Sequence, residues 1–126
     1  MAAARLTRWV LAGTLLAVPA VQAGLADVLR VEVRSGGEPG SYDLDVTLRH
    51  EDTGWDHYAN RWEVLAPDGR VLATRVLVHP HVHEQPFTRS LSAVRIPAEY
   101  TWVRVRGHDL VHGYGGREVT LSVPRP

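Results

Sequence analysis

Hydrophobic and polar residues alternate along most of the chain after residue 24. In the segment Ser41 to Arg49, every second residue is hydrophobic and the residues between them are polar or charged. A period of two predicts a β-strand that buries one face and exposes the other to water. Similar alternating segments recur along the chain, whereas the periodicity of an amphipathic helix is nearly absent. We therefore predict seven strands, at residues 28–34, 41–50, 59–66, 71–78, 87–94, 100–107 and 117–123.

Glycine and proline separate the predicted strands. Pro67-Asp68-Gly69 predicts a hairpin turn, because proline presets the first corner and glycine tolerates a positive φ. Glycine-rich segments at 35–40 and 112–116 separate other strands. Short strands with turns at this spacing favour an antiparallel β-sandwich. The sequence thus predicts an all-β, seven-stranded antiparallel sandwich that forms a single domain over residues 24–126.

The first 23 residues have the pattern of a secretory signal peptide. Arg5 and Arg8 precede a hydrophobic run, Val10 to Val18, which is short for a membrane span. Pro19 ends the run, and small residues up to Ala23 suit a cleavage site. We predict cleavage after Ala23 and a periplasmic or secreted protein with no membrane span after cleavage. No cysteine follows the hydrophobic run, which argues against a lipid anchor.

Charge and composition argue against several classes of function. All 14 basic residues are arginines, and loss of Arg5 and Arg8 with the signal leaves 12 of them against 14 acidic residues. The resulting formal charge of −2 argues against binding to nucleic acid or adsorption to anionic lipid. Because cysteine is absent, thiolate metal sites and cysteine nucleophiles are excluded. A methionine-rich copper site is excluded too, since Met1 is the sole methionine.

Several local features resemble those of known β-sandwich families. Trp62 lies in the third predicted strand, and the segment Tyr100 to Arg106 precedes the glycine-rich segment 113–116. In these features the chain resembles fibronectin type III and immunoglobulin-like sandwiches. The stretch from Tyr100 to Val123 is also faintly similar to the closing strands of periplasmic copper carriers. Those carriers have a histidine and an acid in the loop before the last strand, and a histidine at the mature N-terminus, where this chain has Gly24.

All seven histidines fall in or beside three of the six connections between predicted strands. Consecutive antiparallel strands alternate in direction, so the second, fourth and sixth connections share one end of a sandwich. The first, third and fifth connections hold no histidine. We therefore predict that all seven histidines gather at one end. The histidines are His50 and His57 beside or in the second connection, His79, His81 and His83 in the fourth, and His108 and His112 in the sixth.

The segment His79 to Phe87 has the residue mix of a metal-binding surface. Neutral imidazole is the commonest metal ligand, and alternate residues of an extended chain share a face about 6.6 Å apart. From there imidazoles can converge on one ion with bonds of about 2.0–2.1 Å. The alternative is an exposed polar loop with local hydrogen bonds. The predicted ligands of Cu2+ or Zn2+ are His79, His81, His83, His108 and His112, with Glu84 and Asp109 orienting them.

Aromatic residues at the same end support a different function. Tryptophan and tyrosine offer a large contact area with a polar handle, which suits a protein or small-molecule partner. Because small single sandwiches mostly bind other molecules, we expect a non-enzymatic binding protein. A metal-dependent hydrolase with Glu84 as general base is a third interpretation. The residues predicted to contact a partner without metal are Trp55, His57, Tyr58 and Tyr114.

Overall fold

The computed structural model describes residues 24–125, which form seven β-strands. Every predicted strand is present, and no boundary differs from its prediction by more than two residues. The predicted signal peptide lies outside the described residues. Within 24–125 there is no helix with the length and hydrophobicity to cross a membrane. The strands are β1 (Asp27–Ser35), β2 (Ser41–Arg49), β3 (Ala59–Leu65), β4 (Val71–Val76), β5 (Phe87–Arg95), β6 (Trp102–Asp109) and β7 (Val119–Ser122).

The strands form two antiparallel sheets that pack as a β-sandwich. One sheet has the order β1-β2-β5, and the other has the order β4-β3-β6-β7. All pairings between neighbouring strands are antiparallel. The prediction of an all-β, seven-stranded antiparallel sandwich is therefore confirmed. Its assignment to the fibronectin type III or immunoglobulin-like type stays a proposal.

The core lies between the inner faces of the two sheets. Alternation along β2 and β6 places every second side chain inward, and these residues are buried. Trp62 of β3 is fully buried, so the predicted core tryptophan is found there. Burial of a large hydrophobic side chain contributes about 1.5–3 kcal/mol relative to exposure. The buried core includes Tyr42, Leu44, Val46, Leu48, Trp62, Val64, Phe87, Val103 and Val105.

The strand pairings confirm that the three connections with histidines lie at one end. Leu48 at the end of β2 pairs with Phe87 at the start of β5. In the other sheet, Ala59 at the start of β3 pairs with Asp109 at the end of β6, and the end of β4 lies beside Arg61. The connections 50–58, 77–86 and 110–118 are therefore neighbours. We call this end of the sandwich the histidine end.

The first described residues also run to the histidine end. The Val28 N–H donates to the carbonyl of Arg117 at 2.8 Å, and this bond joins the start of β1 to the sixth connection. Gly116 permits the close approach, because a Cβ there would lie 2.0 Å from the Ala26 carbonyl oxygen. The chain then places Gly24 against the ring of His112.

Candidate metal centre

His50 and Asp109 reach the interior because they continue the alternation of their strands. His50 follows β2 in phase with Val46 and Leu48, and Asp109 ends β6 in phase with Val105. Side chains that share a phase point to the same face of a sheet. Both residues are fully buried or nearly so. The two sheets therefore each present one polar side chain at the inner edge of the histidine end.

A tight turn brings His57 to the same point. The Thr53 N–H donates to the His57 carbonyl at 3.0 Å, and the His57 N–H donates to the Gly54 carbonyl at 3.2 Å. These bonds fold the second connection back on itself. The His57 ring consequently meets the His50 ring edge to face, with a centroid distance of 4.8 Å.

His50, His57 and Asp109 form a compact group of possible metal ligands. One atom from each of the three lies within 4.8 Å of the other two. His57 Nε2 is 3.4 Å from Asp109 Oδ1, and His50 Nε2 is 3.9 Å from Asp109 Oδ2. Tetrahedral bonds of about 2.0–2.1 Å separate two ligand atoms by about 3.3–3.4 Å. The group is thus close to the spacing that one ion requires.

Two of these ligand atoms are buried without a hydrogen-bond partner. They are His57 Nε2 and Asp109 Oδ2. A buried polar atom without a partner costs about 1–3 kcal/mol, and a charged one costs more. Asp109 Oδ1, in contrast, accepts from the N–H groups of Val111 at 2.9 Å and His112 at 2.7 Å. The turn after β6 therefore orients the carboxylate with one oxygen paired and the other aimed at His50.

Asp52 fixes the orientation of the His50 ring. Asp52 is buried, and its Oδ1 lies 2.5 Å from His50 Nδ1 and accepts from the Ala59 N–H at 2.9 Å. Its Oδ2 accepts from the His81 N–H at 2.7 Å. Because a carboxylate can only accept, Nδ1 of His50 carries a hydrogen. In metal sites, an imidazole commonly donates one ring N–H to a carboxylate and binds the metal through its other nitrogen.

The charges around His50 favour a positive species at this position. Burial alone would lower the pKa of His50, but the hydrogen bond and charge of Asp52, with the charge of Asp109, raise it above its ordinary value. Burial likewise would raise the pKa of Asp52, yet its bonds to His50, His81 and Ala59 lower it. The Gly24 carbonyl lies 3.1 Å from His50 Nε2 and can only accept. Both nitrogens of His50 therefore face hydrogen-bond acceptors, and a metal ion bound at Nε2 would take the place of a proton there.

His112 lines the outer side of the group. Its Nδ1 is 3.3 Å from Asp109 Oδ1, and its ring centroid is 5.0 Å from that of His57. The side chain is 42% exposed, unlike the buried His50 and Asp109. Of the five predicted ligands, the structure places His112 beside this group, on the side open to solvent.

His79 and His81 lie near the group but form a separate pair of neighbouring rings. The His81 ring is buried, stacks on Phe87 with a centroid distance of 3.9 Å and lies 4.6 Å from the ring of His79. Its Nδ1 is 4.0 Å from Asp52 Oδ2. Asp52 thus lies between His81 on one side and His50 on the other.

The remaining predicted residues of the fourth connection are exposed. His83 and Glu84 both face solvent. Glu84 accepts from Arg89 at 3.1 Å, and this hydrogen bond holds the pKa of Glu84 below its ordinary value. Neither side chain takes part in the group of ligand atoms at His50.

His108 lies on the outer face of the second sheet. It is out of phase with Asp109, so its side chain points away from the interior. His108 Nδ1 donates to Asn60 Oδ1 at 2.7 Å, and its ring meets Tyr114 at a centroid distance of 4.7 Å. Burial, followed by the charge of Arg61, lowers the pKa of His108. The structure consequently separates His108 from Asp109 and His112.

The residues predicted to bind a partner also lie in different parts of the histidine end. Trp55 is 67% exposed and meets Tyr58 edge to face at 5.7 Å. His57 belongs to the group of possible metal ligands described above, and its side chain is 23% exposed. Tyr114 lies on the outer face, where its hydroxyl donates to Glu63 at 3.0 Å.

Sequence reasoning missed His50 as a possible ligand and Asp52 as the residue that orients it. A signal for His50 was present, because the alternation of Leu44, Val46 and Leu48 continues two residues further to His50. The corresponding extension of β6 from Val105 leads to Asp109. Asp52 lies in an irregular loop, and no periodicity could have placed it.

Comparisons with known proteins add one relative. The chain is similar to a protein of Halomicrobium mukohataei named "Putative lipoprotein", with 42% identity over 97 residues. The alignment covers 77% of this chain and 47% of that protein, so the chain spans about half of the length of the relative. No family model matches this chain. No solved structure shows significant similarity to it.

Proposed function

We propose that the histidine end binds a divalent metal ion, Zn2+ or Cu2+, through His50, His57 and Asp109. The observation that carries this proposal is the pair of unpartnered buried atoms, His57 Nε2 and Asp109 Oδ2, beside His50 Nε2. An ion would give both atoms a partner. Asp52 orients the His50 ring from the other side.

The donor set determines which ions are suitable. Two imidazole nitrogens and one carboxylate oxygen suit Zn2+ or Cu2+ better than Mg2+ or Ca2+, which take oxygen ligands. Asp109 contributes one negative charge, which offsets part of the charge of the ion. The partly exposed His112 stands beside the group, so a fourth ligand comes from its imidazole or from solvent.

The proposed setting is the cell envelope or the extracellular space. The relative from Halomicrobium mukohataei is named as a lipoprotein, which is compatible with a non-enzymatic protein exposed outside the cytoplasm. The predicted signal peptide agrees with that setting.

Calorimetric titration tests the metal site. The purified protein at about 50 μM, titrated with ZnCl2 or CuSO4, should bind one equivalent with micromolar or tighter affinity. His57→Ala removes a ligand and should weaken binding at least about 100-fold, since loss of residues outside the ligand set already costs 10–100-fold. Asp109→Asn serves as a second variant if His57→Ala does not fold.

His83→Ala is the matched control for this titration. His83 is a histidine at the same end, but its side chain is exposed and lies outside the ligand group. Its removal should leave the affinity for Zn2+ unchanged within about twofold. Absence of heat with both ions, or equal affinities of His57→Ala and wild type, would refute the proposal.

Partner binding is a second candidate, favoured by exposed hydrophobic residues next to the metal group. Trp55, Leu110 and Val111 are all exposed, and the Leu110 N–H donates to the Tyr58 carbonyl at 3.2 Å, which joins the two loops. Exposed aromatic residues are common anchors of protein interfaces. Trp55→Ala should abolish capture of a partner from envelope extracts while leaving Zn2+ binding intact, which separates the two candidates.

A further inference from the structure

His81 has two nitrogen atoms for which the protein supplies no hydrogen-bond partner. The residue is 5% exposed, and both Nδ1 and Nε2 are buried and unpartnered. A neutral imidazole has one N–H donor and one lone pair. A buried polar group without a partner is destabilising, so a ligand that binds these nitrogens would stabilise the ring in this position.

The ring is held in place despite its unpaired nitrogens. The His81 N–H donates to Asp52 Oδ2 at 2.7 Å, and its carbonyl accepts from Gln85 Nε2 at 2.9 Å. The ring itself stacks on Phe87 with an angle of 10° between the planes. Backbone and ring are thus fixed by contacts that do not use the imidazole nitrogens.

His79 provides a second imidazole next to His81. The two ring centroids are 4.6 Å apart, and His79 is exposed at the surface of the loop. His79 Nδ1 lies 3.0 Å from the Pro80 carbonyl, which can only accept, so Nδ1 carries the hydrogen. The lone pair of His79 therefore resides on Nε2, where it is available to a ligand.

We propose that His79 and His81 form a second metal site, which takes a monovalent d10 cation of the Cu(I) type. The site has two imidazoles, and the carboxylate nearest to the His81 ring is Asp52, with Oδ2 at 4.0 Å from Nδ1. The cost of moving an ion from water into an apolar pocket rises steeply with its charge, so a monovalent ion is favoured beside Phe87. Monovalent d10 ions also accept two ligands. The two metal sites share no ligand, although Asp52 contacts both His50 and His81.

Ag(I) is the probe for this site, because it has the charge and d10 configuration of Cu(I) and does not change oxidation state. Titration of the purified protein with AgNO3 in chloride-free buffer should shift the side-chain nitrogen resonances of His79 and His81 in long-range 1H–15N NMR spectra. The resonances of His83, the exposed neighbour, should move little. His79→Ala should weaken Ag(I) binding at least about tenfold, and His83→Ala should not.

The variants also separate failure of this site from failure of the divalent site. His57→Ala should lose Zn2+ and keep Ag(I), and His79→Ala should do the reverse. Because His79 is exposed, His79→Ala is expected to fold. Ag(I) shifts confined to His50, His57 and His112, or an unchanged affinity in His79→Ala, would overturn the proposal. Absence of any shift at His81 would also overturn it.

Discussion

Two polar clusters near β3 and β6 differ in how completely their charged groups are paired. On the outer face, Glu63 is 6% exposed and accepts from Arg106 at 2.9 Å, Arg61 at 3.0 Å and Tyr114 at 3.0 Å. At the inner edge of the histidine end, Asp109 is fully buried and one of its oxygens has no partner. Both clusters thus place a carboxylate out of reach of water, but only the outer cluster satisfies it within the protein.

The contrast separates a structural cluster from a candidate binding site. Hydrogen bonds to a charged group contribute about 1.5–3 kcal/mol each, so the contacts of Glu63 account for its presence under Tyr114. The guanidinium of Arg106 also lies 3.7 Å from the centre of the Tyr114 ring, which adds a cation–π contact. Asp109 has no comparable compensation for its second oxygen. Stability explains the outer cluster, and the proposed metal ion would complete the inner one.

Asp109→Asn should produce the largest effect, the loss of stabilisation by Zn2+. Without that stabilisation the inner cluster would no longer differ from the outer one as a binding site. The amide retains an oxygen for the Val111 and His112 N–H groups but loses the charge that attracts an ion. Wild-type protein should be stabilised by about 2.7 kcal/mol when free Zn2+ is 100 times its Kd. Asp109→Asn should lose all of this increment. Urea unfolding with and without Zn2+ measures it, and equal increments in the two proteins would contradict the proposed ligand role.

Glu63→Gln should lower the stability of the protein but leave Zn2+ binding intact, which is the opposite of Asp109→Asn. The change in free energy should be somewhat smaller. Glutamine keeps the shape of the side chain but places an N–H2 group where two oxygen acceptors are needed. We expect a loss of about 2 kcal/mol in the free energy of unfolding, because buried charge-assisted bonds are broken. The affinity for Zn2+ should not change. Urea unfolding and calorimetry on the same preparation test both parts, and a stable Glu63→Gln protein would show that the outer cluster is dispensable.

The pH dependence of stability should show the smallest of the three effects. Burial alone would raise the pKa of Glu63, but hydrogen bonds from Arg106, Tyr114 and Arg61 lower it below its ordinary value of 4.5. A carboxylate with a lowered pKa in the folded state contributes stability that is complete above 4.5 and is lost as the pH falls through the folded value. The difference in unfolding free energy between wild type and Glu63→Gln should therefore shrink below pH 4.5. A difference that stays constant down to about pH 3 would contradict this assignment.

The strands and the gathering of the histidines were predictable from sequence. The alternation from Tyr42 to Leu48 identified a strand and its buried face, and glycine and proline marked the turns. Antiparallel alternation then predicted that the even-numbered connections share one end, which the pairing of Ala59 with Asp109 confirms. These features depend on local periodicity and chain direction, and both can be read from one sequence.

The grouping of ligands within that end was not predictable. The spacing of His79, His81 and His83 drew attention to the fourth connection, whereas the compact group of ligand atoms combines His50, His57 and Asp109. The first two belong to the connection between the two sheets, and the third belongs to the end of β6. Whether their atoms meet depends on how far the sheets are apart and how the loops fold.

The sequence by itself determined the β-sandwich, the inward phase of β2 and β6, and the end at which the imidazoles collect. Those properties follow from a two-residue period and from the alternating direction of antiparallel strands, and both can be read without knowledge of distant contacts. The tertiary structure alone decided that Asp52 orients His50, that His81 stacks on Phe87, and that one oxygen of Asp109 is left without a partner. Such outcomes depend on contacts between residues that are far apart in the chain, since a hydrogen bond forms or fails within a few tenths of an ångström.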